Sequence, residues 1–237
     1  ILVLKETLEL FSKSVNLAAG EETRKLFLET MLQSTVKARA LRQEINALAI
    51  ESGAFTKVEL EQLVQQLMAW GRSSEVVIED AKILGDIAAG VGKERLPQLT
   101  LALGQIATAD KLTGAELRQL TEAGVPALEL ISKVSGRSAQ QIKADMENGI
   151  APSFELVRKA LKATTEEGGK FFNLNEKFTQ TLPGLSNKLS DVGTLAGIGI
   201  GERFLPAAKA ATKAAIELVS ELGEYVKIPL SQKIEDE

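Results

Sequence analysis

Neither cysteine nor histidine occurs in the 237 residues, and these two absences remove whole classes of chemistry. A disulfide framework, a zinc finger, a catalytic thiol, a haem ligand and a Ser-His-Asp triad each need a thiolate or an imidazole. Any metal would have to be a hard cation held by oxygens, and the spaced carboxylates and turn glycine of an EF-hand are missing. Aromatic residues are scarce, with one Trp, one Tyr and eight Phe. The core must therefore be built from Leu, Ile, Val and Ala, a mixture that favours helices. Long apolar runs are also missing. A bilayer-spanning helix needs about 18 or more uncharged apolar residues in a row, and the longest such stretch, Val192 to Gly201, stops at Glu202-Arg203. There is no surplus of positive charge either: 28 Lys and Arg stand against 32 Asp and Glu, for a net charge of −4 and an isoelectric point near 5.3. That balance argues against a nucleic acid as a specific ligand, because neutralising phosphates requires excess Lys and Arg on some face. The apolar start Ile1-Leu2-Val3-Leu4 carries no Met and is broken by Lys5 and Glu6. It is read as the beginning of a segment of a longer polypeptide, not as a signal peptide.

What remains is a sequence with helical periodicity almost throughout and no clean alternation of period two. Leu60, Leu63, Val64 and Leu67 fall at i, i+3, i+4 and i+7, as do Val77, Ala81, Leu84 and Ala88, so each set shares one helix face. Thr56 with Glu59, Thr113 with Glu116 and Ser138 with Gln141 have the spacing of capping boxes at helix starts. Gly71, Gly136 and Gly149 sit where left-handed C-caps belong, and Pro126 and Pro152 sit where a first turn tolerates a missing donor. Helices are expected over 1–18, 22–51, 56–70, 74–90, 93–109, 114–123, 126–135, 138–148, 152–164, 170–180, 184–200 and 202–227. The fold class is all-α, a compact multi-helix bundle of short helices with longer helices at both ends. Three regions are expected: long N-terminal helices over 1–51, a compact helical module over 52–166, and a Gly/Ala-rich helical extension over 167–237, with Glu166-Glu167-Gly168-Gly169 as the boundary.

The candidate chemical motifs read as architecture. Gly197-Ile198-Gly199-Ile200-Gly201 lacks the third glycine and the preceding strand of a dinucleotide loop. Gly193, Gly197 and Gly201 lie four apart, so on a helix they line one side and serve either close helix packing or a hinge. The helix succession over 114–148 resembles a DNA reader in outline, but between 111 and 149 five basic residues face five acidic ones, leaving little for a phosphate backbone. The pairs Glu59 with Glu61, Glu79 with Asp80 and Glu166 with Glu167 are expected on solvated faces. Trp70 and Phe171-Phe172 are read as packing residues. The Ala-rich face over 207–222 suits a helical partner in coiled-coil fashion, in the same chain or another copy.

The run Leu101-Ala102-Leu103-Gly104-Gln105-Ile106-Ala107, followed by Lys111-Leu112-Thr113-Gly114-Ala115-Glu116-Leu117-Arg118-Gln119-Leu120-Thr121-Glu122-Ala123-Gly124-Val125-Pro126-Ala127-Leu128, resembles the tape measure proteins of long-tailed bacteriophages and prophages. Asn148-Gly149-Ile150, then Gly168-Gly169 before Phe171, then Gly184-Leu185-Ser186-Asn187 before Asp191, follow in the order found in that family. The likeness covers about residues 35–205, and the 101–128 block is its specific part. It implies a viral structural protein of the virion, a tape measure segment in tail assembly and tail length determination. It implies no enzyme, and no catalytic, cofactor-binding or metal residue. The implied places are the lumen of the tail tube and, during assembly, the host bacterial cytoplasm. The implied partners are the tail tube protein, tail assembly chaperones and other copies of itself, with contact to the host membrane at ejection. Within the block, Gly104, Gly114, Gly124 and Pro126 are expected to serve helix spacing and turning and Leu117, Leu120 and Leu128 to face the core, with Gln105 and the capping-box Glu116 in the same structural motif. Two other readings compete: a membrane-interacting helical protein acting at DNA ejection, and a DNA-binding helical protein.

Overall fold

The computed structural model describes residues 2–227. Among them are eleven α-helices and no strand, the all-α class expected. The helices are α1 (Leu2–Leu32), α2 (Thr35–Glu51), α3 (Lys57–Ala69), α4 (Val77–Val91), α5 (Leu96–Ala109), α6 (Gly114–Glu122), α7 (Ala127–Ser135), α8 (Ala139–Glu147), α9 (Phe154–Lys162), α10 (Leu174–Lys177) and α11 (Leu182–Lys227). They are the expected short helices with long ones at both ends. The chain divides into two units: a larger one over residues 25–192 and a smaller one joining residues 1–24 to residues 193–237.

In the larger unit each helix buries the face its apolar spacing marks. Leu60, Val64 and Leu67 of α3, and Val77, Ala81, Leu84 and Ala88 of α4, are fully buried. α2 packs on α3, α3 on α4, α5 on α6, α7 on α9 and α10 on α4. One apolar cluster runs from Leu28 through Ile45, Leu84, Ile106, Leu120 and Val157 to Phe171. It therefore crosses both expected boundaries, 51/52 and 166/167. All three capping boxes form, on α3, α6 and α8. At the end of α3, Gly71 at φ +87° lets its own N–H reach the Met68 carbonyl while Arg72 N–H reaches that of Leu67. This is the paired bonding of a glycine-stopped helix.

Several expected boundaries shift. No break occurs near residue 20, where the ion pair between Arg24 and Glu21 at 3.0 Å spans one turn of an unbroken helix. The break comes instead at Gln33, at φ +48°, with Ser34 capping α2 by accepting from Lys37 N–H at 3.2 Å. Residues 93–95 form a 3-10 turn ahead of α5, and residues 170–180 hold only α10 and a 3-10 turn over 178–180. α9 starts at Phe154 with Ser153 as its cap, so Pro152 lies before the helix. The two helices expected over 184–200 and 202–227 are one, α11, which carries Pro206 inside it.

Candidate functional site

The 101–128 block occupies α5, α6, the start of α7 and the turns between them. Gly104 is buried, and a Cβ built on it would fall inside the indole of Trp70. Glycine there lets α5 pass directly under the C-cap of α3, so Trp70 is a packing residue. Gln105 is half-buried, and its side-chain oxygen has no hydrogen-bond partner among the described residues. Gly114 opens α6 with open space around it. Glu116 closes the capping box by accepting from Thr113 N–H at 2.9 Å and from the Thr113 hydroxyl. Burial pushes the Glu116 carboxyl up, but the bonds from Thr113 outweigh it and hold the group below its ordinary value. Leu120 is fully buried, while Leu117 and Leu128 are half-buried against the same core. Gly124, at φ +87°, ends α6: its N–H reaches the Thr121 carbonyl and Val125 N–H reaches that of Leu120 at 2.8 Å. Only glycine adopts that conformation without a Cβ penalty. Pro126 is the residue capping α7.

Two carboxylates expected on solvated faces are buried instead. Asp80 is fully enclosed and accepts from Arg72 Nε and Arg158 Nε, both at 2.6 Å. Arg158 also binds Glu79, which pairs with Lys162 at 2.6 Å. Hydrogen bonds from Lys162 and then Arg158 hold the Glu79 carboxyl below its ordinary value. The Arg72 guanidinium lies 4.4 Å over the Phe154 ring. The cluster ties α4 to α9 and to the turn after α3. Glu61 is likewise buried, 3.1 Å from Lys57 one turn away. Asp80 falls at i+3 from Val77 on the face that Ala81 and Leu84 bury, and that spacing was the available signal. Glu166 and Glu167 are exposed as expected.

A second polar arrangement holds residues 174–191 against the turn before α3. Asn175 is buried; its Oδ1 accepts from Ser52 Oγ at 2.9 Å and from Ala54 N–H at 3.0 Å, and its backbone carbonyl accepts from Gly53 N–H. Its own N–H donates to Asp86 Oδ1 at 2.8 Å. Asn187 Nδ2 donates to the carbonyls of Gly53 and Ala54, and both oxygens of Asp191 accept from Lys57 N–H at 3.1 Å, on the first turn of α3. Burial pushes the Asp86 and Asp191 carboxyls above their ordinary values despite these bonds.

In the smaller unit, a Cβ at Gly197 would press on the Leu17 side chain, and one at Gly201 would strike the Ser14 carbonyl and the Ala18 side chain. These two glycines are close-packing positions on an uninterrupted helix. Gly193 is exposed, with nothing near its missing side chain.

These arrangements spend their charged groups on architecture. A groove of about 340 Å³ beside α3 and α5 has Glu59, Gln62, Gln66, Lys93 and Glu94 among its lining residues. Its Glu59 is committed to the Thr56 capping box, accepting from Thr56 N–H at 2.7 Å. Among the described residues there is no group of three or more acidic side chains that could hold a metal ion, and no helix long and apolar enough to cross a membrane. No protein-family model, curated protein or solved structure matches the chain.

Proposed function

We propose that the chain is a structural segment of a long-tailed phage or prophage tail, of the tape measure type, acting in tail assembly and length determination. The observation that carries this reading is the ordered block over 101–128, followed by the elements at 148–150, 168–171 and 184–191. The geometry supports it in kind. Gly104, Gly114, Glu116, Gly124 and Pro126 start, stop or pack helices, which is work suited to a part that acts by shape. Its partners are then the tail tube protein, assembly chaperones and further copies of the chain, in the tail lumen and in the host cytoplasm during assembly, and no bond is made or broken on its surface. A helix adds about 1.5 Å per residue, so a ruler of this kind encodes length in residue count.

Deleting residues 101–128 in frame from the parent gene tests the reading. The expected result is loss of tails, or tails of altered length, seen by electron microscopy, with the protein present in purified wild-type virions by mass spectrometry. Normal tails from the deletion strain, together with absence from virions, would refute it. Exposed Leu182, Leu185, Leu189 and Val192 on α11 favour a second reading, contact with a membrane surface at ejection. Leakage of dye-loaded vesicles would support that reading, and intact vesicles would count against it.

A further inference from the structure

The described side chains of the smaller unit form little core. Among its described side chains only Ala18 and Ile198 are buried apolar residues, whereas Leu8, Leu10, Phe11, Leu195, Ile200, Phe204, Ile216, Leu218 and Val219 are exposed, each by 42% or more. The two helices touch where Leu17 lies on Gly197, Ala18 lies on Gly201 and the Phe11 ring meets Phe204 edge-on at 5.1 Å, and these contacts leave most of each apolar face open, whereas helices in water depend on burial of an apolar face. Where such residues line up along one helix face, they mark an interaction surface.

The pattern on α11 says what covers it. Ile200, Phe204, Ala207, Ala211, Ala214 and Leu218 fall at i, i+4, i+7, i+11, i+14 and i+18, all exposed. This is an a/d heptad seam with Phe204, Ala211 and Leu218 at a and Ile200, Ala207 and Ala214 at d. The flanking g positions are Arg203, Ala210 and Glu217, and neither Arg203 nor Glu217 makes an ion pair among the described residues. Laid antiparallel on itself, the seam is self-complementary. Ile200 meets Leu218, the bulky Phe204 meets the small Ala214, and Ala207 meets Ala211, while the two g charges pair as Arg203 with Glu217 at each end. A parallel pairing would set Phe204 against Phe204 and place Arg203 beside Ala208, with no charge partner. We propose that residues 200–218 form an antiparallel coiled-coil interface between two copies of this chain. The interface is independent of the tail reading, since it rests only on α11 and its neighbours.

Sedimentation of the whole chain at about 100 μM and physiological salt tests it. The wild type is expected to dimerise. Ala211→Glu is exposed and central to the seam, and should weaken association by about tenfold or more by burying an unpartnered carboxylate opposite Ala207 of the other copy, with the circular dichroism of the fold unchanged. Arg203→Glu should also weaken it, and Arg203→Glu with Glu217→Arg should restore it. Because the chain has no cysteine, Ile200→Cys mixed with Leu218→Cys should cross-link under oxidation more readily than either variant alone. A monomeric wild type, a dimer indifferent to Ala211→Glu, or a monomer that binds anionic vesicles through this seam would each overturn the proposal. Failure of the charge swap to rescue, or faster cross-linking of each cysteine variant with itself, would overturn the antiparallel pairing.

Discussion

Replacing Asp80 should be among the most damaging single changes in the larger unit. Its carboxylate is wholly buried and accepts two bonds of 2.6 Å from the Nε groups of Arg72 and Arg158. A hydrogen bond to a charged group contributes about 1.5–3 kcal/mol, and removing one partner of a buried ionic group costs about 3–5 kcal/mol because the remaining charge is stranded. Two features hold the figure toward the lower end of that range. Arg158 keeps Glu79, and Arg72, 15% exposed, keeps the Phe154 ring and some water. Asp80→Asn should rescue little, since an amide offers one acceptor where two donors converge, and its NH2 would face the second guanidinium. Both Asp80→Asn and Asp80→Ala should therefore cost about 3 kcal/mol. Urea unfolding followed by the fluorescence of Trp70, the single Trp, two residues from Arg72, reads this directly. Replacing the set together, as Arg72→Met, Asp80→Leu and Arg158→Met, should return most of the loss, because no charge is then left buried alone. If Asp80→Asn costs under about 1 kcal/mol, or the triple variant is worse than the single one, the cluster is not acting as a buried ionic lock.

Leu120→Asp places a charge at a fully buried position in the centre of the block and should destabilise by several kcal/mol, at least about 3; an unchanged melting temperature would refute its placement. Gly104→Ala drives a methyl into the Trp70 ring, with an overpacking cost of about 1–3 kcal/mol and a shift in Trp emission, whereas Gly114→Ala, with open space, should be close to neutral in both. For Asp86 the sign runs through burial: its folded value is raised, so the folded state binds the proton more readily than the unfolded chain. Its contribution becomes more favourable as pH falls from the raised value toward the ordinary one near 3.9 and is least favourable at neutral pH. The stability of Asp86→Asn relative to wild type should accordingly be greatest at pH 7 and shrink on acidification. A gap that widens on acidification would reverse that assignment.

The elements that were legible in the sequence are those whose signal is local. Thr56 with Glu59, Thr113 with Glu116 and Ser138 with Gln141 each satisfy backbone groups within a single turn, and all three form. Gly71 and Gly136 stop their helices at positive φ, a conformation decided by the residue itself. The boundaries that moved depend on distant partners. Gly20 and Gly201 read as interruptions when only helix propensity is weighed, yet α1 and α11 run through them. At Gly201 the missing side chain is what lets Ser14 approach. Asp80 looked solvated beside Glu79 because its two arginines are 8 and 78 residues away, a separation that periodicity does not report. The same holds for Asn175, whose partners Ser52 and Ala54 precede it by more than 120 residues.

That long-range seam changes where the cost of any extension of the chain lies. Of the two roles open to Gly193, Gly197 and Gly201, close packing or a hinge, Gly197 and Gly201 take the packing one, and the helix around them is continuous. Residues 174–191, by contrast, hold the turn before α3 through Asn175, Asn187 and Asp191, and hold α4 through Asp86. Detaching them would expose a buried amide, a buried carboxylate and several backbone groups together. Unsatisfied buried polar groups cost about 1–3 kcal/mol each, so these bonds break as a set or not at all, and the start of α11 is coupled to α3 and α4. Opening residues 174–191 would loosen α3 and α4 with them. Asn175→Ala should therefore raise amide exchange across α3, α4 and residues 174–191 together. Raised exchange in residues 174–191 alone would mean that this segment peels away independently.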